Sequence, residues 1–168
     1  RNFEPLNPAS IPRWPTSGGI YEPLYIYNPV QTEWVPWLAT DYSWQDNNKK
    51  LLFTIRSGVQ WSDGKPFTAH DVAYTFNLKK KYPALDTRNS WGFLESIDAV
   101  SDTKVVVNFN RVYVPGFSAI AEQVIIPKHI WRELEDPLKF SNPNPVGTGP
   151  FTEVLRFNSQ LWELGKNP

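Results

Sequence analysis

The sequence predicts an α+β fold in which a mixed or antiparallel sheet carries two main helices. Three observations predict it. Residues 41–56 and 93–110 each read as a pair of alternating strands around a short polar turn. Between them lies one well-capped amphipathic helix. Sixteen prolines and nine glycines in 168 residues favour short elements and many turns over long helices. A chain of this length buries roughly 70% of its extended surface, enough for one domain or two small subdomains sharing a core.

Residues 1–20 are proline-rich without periodicity and are expected to run extended across the surface. Residues 22–28, EPLYIYN, alternate as a short strand, and residues 35–38 are expected to form one helical turn. Residues 41–45 and 50–56 then flank Asp46-Asn47-Asn48, a polar turn signal. In the second of these strands Leu51, Phe53 and Ile55 share one face, with Leu52, Thr54 and Arg56 on the other. Thr68 is a natural helix N-cap, and Asp71 three residues on completes a capping box. Ala69, Val72, Ala73 and Phe76 form the apolar stripe of that helix. Lys79, Lys80 and Lys81 stand at its negative end, and Pro83 stops it. Residues 93–100 and 104–110 flank Ser101-Asp102-Thr103, with Val105, Val107 and Phe109 on one face. A second helix is expected from Pro127, presenting Ile130, Trp131 and Leu134. Residues 141–149 form a loop of turn formers, and residues 151–155 and 161–164 a last hairpin around Asn158-Ser159.

Composition excludes several functions. Net charge is zero, and no like-charge run exceeds the three lysines, so nothing favours nucleic acid or an anionic membrane. No apolar run approaches the ~20 residues of a membrane-spanning helix, and the opening RNFEPLNP does not read as a signal peptide. Without cysteine there is no disulfide framework and no thiolate metal site. No GxSxG elbow, Walker loop or HExxH occurs, and no pair of acids has a spacing that singles out a general acid and base. His70 is expected to be solvated in the first helical turn. His129 and Glu133, at i and i+4, are expected as a surface ion pair, since two ligands do not make a metal site. No cofactor or metal is expected. The eight tryptophans either fill the core or offer flat apolar faces of the kind that sugar rings stack on.

Three stretches, in order, carry a resemblance over nearly the whole chain. They are IYEPLYIYNP (20–29) followed by VPWLATDYSW (35–44), FTIRSGVQWSDGKPFTAHDVAYTF (53–76), and NPVGTGPF (144–151). Together they resemble the extracellular solute-binding proteins of ABC importers, in the branch that takes oligopeptides, nickel complexes and oligosaccharides. The residues of the middle block read as scaffold: Gly58 suits a positive φ, Ser62-Asp63-Gly64 a tight turn, and Trp61 a cap on the core beneath it.

The resemblance implies a two-lobed periplasmic-binding-protein-like fold, of which this chain is the N-terminal portion only. Residues 1–40 and 141–168 would be a partial core of lobe one, and residues 41–140 an inserted α+β subdomain. It implies solute capture without chemistry, in the periplasm or outside the cell, with a lipid anchor as one option. The implied partners are an oligosaccharide or oligopeptide ligand, ABC permease subunits and the remainder of the same receptor, with no nucleic acid. The tryptophan count and the VPWLA stretch look more like the sugar-binding members, so an oligosaccharide leads and an oligopeptide is the alternative. The cleft border implied by the family falls on Trp14, Ser17, Gly18, Gly19, Tyr21 and Glu22. There Glu22 would accept from sugar hydroxyls or a peptide amine; the alternative is that Tyr21 and Glu22 merely pin the strand to its neighbour. A phosphate cradle at Gly18-Gly19 lacks the strand it needs in front. A rival class, a carbohydrate-active enzyme, requires two carboxylates facing each other across a tryptophan-lined groove. A third, an interaction domain, requires a broad exposed apolar patch.

Overall fold

Both central hairpins form as expected, and they pair with each other to organise the molecule. The structure, a computed structural model, describes residues 3–6, 16–158 and 161–167. Strand β1 (Tyr25–Asn28) pairs antiparallel with β2 (Glu33–Pro36), placing Tyr27 opposite Trp34. The side-chain oxygen of Asn28 accepts from the backbone N–H groups of Val30 and Gln31 and shapes the turn between them. Of the helical turn expected at residues 35–38, Val35 and Pro36 are the end of this strand and Trp37 and Leu38 a bend after it. Pro36 is tolerated because it is the last residue of an edge strand.

β3 (Ala39–Gln45) and β4 (Lys50–Ile55) are joined through Asp46, Asn47 and Asn48, all with positive φ, which Asn and Asp adopt more readily than other side chains. Helix α1 (Ala69–Lys81) follows, then β5 (Leu94–Ser101) and β6 (Lys104–Phe109). The four strands make one antiparallel sheet in the order β3-β4-β6-β5. Leu51, Phe53 and Ile55 lie beside Val105, Val107 and Phe109 on its buried face, against Ala69, Val72 and Phe76 of α1.

The capping box of α1 is complete. Thr68 Oγ1 accepts from the His70 N–H, and Asp71 Oδ2 accepts from the Thr68 N–H at 2.9 Å. Asp71 Oδ1 also accepts from the Lys128 N–H at 2.9 Å, so the cap ties down the next helical element as well. Thr68→Ala is expected to lower stability by about 1 kcal/mol. Asp71→Ala should lower it more, because two donors lose their acceptor; urea unfolding of the two variants checks the order.

Two short helices complete the α content. α2 (Gly116–Ala121) was not foreseen, although Phe117, Ile120 and Ala121 are buried at helical spacing. The second helix expected from Pro127 is a single turn, α3 (Lys128–Trp131), with Pro127 at the N-cap and Trp131 buried. β7 (Phe151–Phe157) and β8 (Trp162–Lys166) form the last hairpin as a separate two-stranded sheet.

The N-terminal segment departs most from expectation. Phe3 and Leu6 do not lie across the surface but are buried with Ile20, Tyr21, Leu78, Leu85, Ile126 and Trp131 in a second core. Residues 141–149 hold them there. The Phe3 N–H donates to Ser141 O, and Asn142, at φ 48°, donates through Nδ2 to Phe3 O at 3.0 Å and Tyr21 Oη at 2.6 Å. Gly147 and Gly149 lie against the backbone of Gly19 and Ile20, with a hydrogen bond from Gly149 N–H to Ile20 O at 2.9 Å. The carbonyl of Gly147 accepts from Ser62 N–H, joining this loop to the Ser62-Asp63-Gly64 turn.

Lys79 is not a solvated helix-end cation. Its ammonium is buried, 2.7 Å from Gln123 Oε1 and 3.3 Å from Asp86 Oδ1. Burial pushes its pKa down, against the opposing pull of Asp86. His129 pairs with Asp63 at 2.7 Å instead of with Glu133, which bonds Arg132. His70 is exposed and lies 3.4 Å from Asp102.

Candidate functional site

The segment after the turn Thr16–Ile20 is laid down by backbone bonds from two directions. Ile125 N–H donates to Glu22 O, and Pro23 bridges Val124, while Trp37, Leu38 and Ala39 donate to the carbonyls of Pro23 and Leu24. This weave puts the side chains of Glu22 and Trp37 next to each other. Trp37 Nε1–H donates to Glu22 Oε1 at 2.7 Å.

Both residues line a cleft of about 530 Å³, with Leu6, Gly18, Arg88 and Glu122 among its other walls. Arg88 and Glu122 meet across 34 residues of sequence in a 2.8 Å ion pair. The Lys79–Gln123–Asp86 cluster supports this side of the cleft, because Gln123 lines it and Asp86 belongs to the loop that carries Thr87 and Arg88. Beyond Trp37 the surface dips again into a second cleft of about 360 Å³. Glu22 and Trp37 line it too, together with Arg56, Val59 and Thr148. Arg56 Nε–H donates to Trp37 O at 2.7 Å, fixing the indole from its backbone side.

The residues expected at a cleft border separate on this geometry. Gly18 and Glu22 line the larger cleft. Gly19 is buried against the 147–149 loop. Tyr21 is fully buried, its hydroxyl occupied by Asn142, and burial pushes its phenol well above the ordinary value. Its ring is thus part of the second core and not of the cleft surface. Trp14 and the side chain of Ser17 lie outside the described residues. Trp37, Arg56, Arg88 and Glu122 were not singled out from the sequence. Trp37 lay in a segment taken for a helical turn, and no local pattern marks residues 88 and 122 as neighbours.

The tryptophans divide mostly toward the core. Trp61 and Trp131 are buried, Trp34, Trp44 and Trp91 are half-buried, and of those with described side chains only Trp37 is exposed. Among the described residues no group of three or more His, Cys, Asp or Glu side chains could hold a metal ion. No described helix is long and apolar enough to cross a membrane.

Comparison with known proteins agrees with the fold. The chain is similar along 99% of its length to the periplasmic oligopeptide-binding protein of an oligopeptide ABC transporter from Thermotoga maritima, with a TM-score of 0.89 and 34% identity. That protein has also been crystallised with mannohexaose, and the likeness is the same. The nickel-binding periplasmic protein of Escherichia coli K12 is 28% identical over 165 residues, 89% of this chain. The chain spans 29% of that relative and 31% of the Thermotoga protein. Residues 33–168 match the family described as bacterial extracellular solute-binding proteins, family 5, middle region. This chain belongs to the bacterial extracellular solute-binding proteins of family 5.

Proposed function

We propose that this chain builds one wall of the solute-binding cleft of an ABC-importer receptor working outside the cytoplasmic membrane. One observation carries the reading: an open cleft presents Glu22, Gly18 and the exposed edge of Trp37 on a scaffold shared along its whole length with a periplasmic binding protein. An apolar pocket with a few fixed polar groups is the usual form of a small-solute site. In this reading residues 1–40 and 141–168 belong to the main part of lobe one and residues 41–140 to its inserted subdomain. The bonds from Phe3 to Ser141 and from Gly149 to Ile20 support that grouping. Permease subunits and the rest of the receptor are the expected partners.

The preference for an oligosaccharide over an oligopeptide loses most of its ground. It rested on the number of tryptophans and on the VPWLA stretch; most of the described tryptophans are core or half-buried, and Trp37 of that stretch lines the clefts. The relatives named above take their names from oligopeptides and nickel, so an oligopeptide stands level as cargo. One observation supports the sugar reading beside it, the mannohexaose held by the Thermotoga protein. The enzyme reading draws no support from a family of binding proteins, and Glu22 and Glu122 are engaged by Trp37 and Arg88.

Calorimetric titration of the protein with short peptides, with mannohexaose and with nickel–histidine tests the proposal. Saturable binding of one class, with a change in tryptophan emission that Trp37→Phe diminishes, is the expected result. Absence of binding of all three by the receptor completed with the remainder of its chain would count against the reading.

A further inference from the structure

Asp63–Gly64 is the only Asp-Gly step in the chain, and no Asn-Gly occurs. This is the aspartyl step most prone to isomerise, because glycine puts no side chain in the way of its own amide nitrogen. That nitrogen attacks Cγ of the aspartic acid. The N–Cγ bond forms, a carboxyl C–O bond breaks, and the amide proton leaves with the hydroxyl as water. Water then opens the succinimide ring, and opening at the main-chain carbonyl leaves isoaspartate, with one extra methylene in the backbone. The reaction needs a mobile carboxyl group beside a free amide.

Neither reactant is free in this structure. The Gly64 N–H donates to Trp61 O at 2.8 Å, and Gly64 holds a φ of +80°. Asp63 Oδ1 accepts from the Lys65 N–H at 3.3 Å, and Oδ2 from the His129 ring at 2.7 Å. Burial works to raise the Asp63 pKa, but the bonds from His129 and Lys65 and their charges outweigh it. They hold the carboxyl below its ordinary 3.8, in the less electrophilic ionised form. The Lys65 contacts lie within the turn and travel with it. His129 comes from α3, 66 residues away, with its ring edge-on to the buried Trp61, and so anchors the carboxylate to the rest of the fold.

We infer that Asp63–Gly64 is a latent site of isoaspartate formation, that His129 holds it closed, and that conversion releases the 147–149 loop. The last step follows from position. Ser62 N–H donates to Gly147 O at 3.0 Å, and an extra methylene one residue on displaces that donor. Thr148 lines the second cleft, so ageing of the turn reaches the candidate site through this link.

The test follows isoaspartate by peptide mass spectrometry and enzymatic carboxyl methylation in protein held at neutral pH and body temperature. A synthetic peptide of residues 57–66 sets the unprotected rate. The folded chain is expected to convert at least about tenfold more slowly than the peptide. His129→Ala should convert about tenfold faster than the unsubstituted protein, the factor for about 1.4 kcal/mol of local stability. His129→Gln, which keeps a donor, should stay near the unsubstituted rate. Ile97→Val, a remote core change costing about 1 kcal/mol, controls for general loosening. The isoaspartate form, separated by chromatography, should melt at a lower temperature than its parent. Conversion as fast as in the peptide, an unchanged rate in His129→Ala, or an equal acceleration in Ile97→Val overturns the inference. An isoaspartate form that melts with its parent overturns the reach to the 147–149 loop.

Discussion

Gly147→Ala is expected to be the most damaging single-methyl change in the chain. A Cβ at this position would lie 1.9 Å from the carbonyl oxygen of Ile20, and one at Gly149 would lie 2.5 Å from that of Gly19. Both obstacles are backbone, so relief requires the 19–20 segment or the 147–149 loop to move as a unit. Moving it breaks the Gly149–Ile20 bond and the link from Ser62 N–H to Gly147 O. Overpacking that forces a backbone shift costs about 1–3 kcal/mol or more, and here hydrogen bonds are lost with it. We expect Gly147→Ala to cost at least about 3 kcal/mol. Gly58→Ala provides the contrast. Gly58 has a φ of +79° but open space around it, so it should cost only about 1 kcal/mol. Urea unfolding measures both, and a Gly147→Ala penalty no larger than that of Gly58→Ala would show that the close approach is not maintained in solution.

The second large effect belongs to Lys79. Removing its ammonium leaves Asp86, whose side chain is 7% exposed, without its cation, and leaves Gln123 Oε1 without its donor. Breaking a buried pair on one side typically costs about 3–5 kcal/mol, and Lys79→Ala is expected in that range. Lys79→Met combined with Asp86→Asn should recover much of the loss, because no uncompensated charge remains. The pH dependence carries the same signature. Burial works to raise the Asp86 pKa, but the backbone N–H groups of Trp91 and Ser90 and the charge of Lys79 outweigh it and hold the carboxyl below its ordinary 3.8. A depressed carboxylate stabilises the fold fully above its unfolded value and loses that contribution as pH falls through its folded value. The acid limb attributable to Asp86 therefore lies below pH 3.8 and should move upward in Lys79→Ala. Thermal unfolding between about pH 2 and 7 follows both quantities.

What the sequence made legible was local. Thr68 and Asp71 lie three residues apart, and both halves of the capping box form within that span. The Asp46-Asn47-Asn48 turn and the alternation of Leu51, Phe53 and Ile55 likewise need no distant partner to be recognised. Features decided across longer separations were misread. Val35 and Pro36 looked helical because their strand identity depends on pairing with β1. Phe3 and Leu6 looked exposed because the segment that covers them lies beyond residue 140. α2 drew no expectation from the sequence, since its six residues are too short to show a helical period before Phe117, Ile120 and Ala121 pack on the sheet core. At the candidate site Gly18 and Glu22, just before and within the stretch 20–29, line the larger cleft. Trp37 was obscured because it follows a strand end that reads as helical, and the Arg88–Glu122 pair joins residues with no sequence relation.

The clasp between residues 141–149 and the N-terminal segment has a consequence for how the protein is made. The bonds from Asn142 to Phe3 and to Tyr21 span 139 and 121 residues. A ribosome adding roughly 5–20 residues per second needs on the order of 6–28 s to supply that stretch. Strands β3 to β6 and α1 contact one another locally and can assemble within this interval. The segment that holds Phe3 and Leu6 is thus among the last to be fixed in place. Until the glycine loop arrives, Phe3, Leu6, Ile20 and Tyr21 are an apolar ribbon open to any chaperone that holds nascent chains.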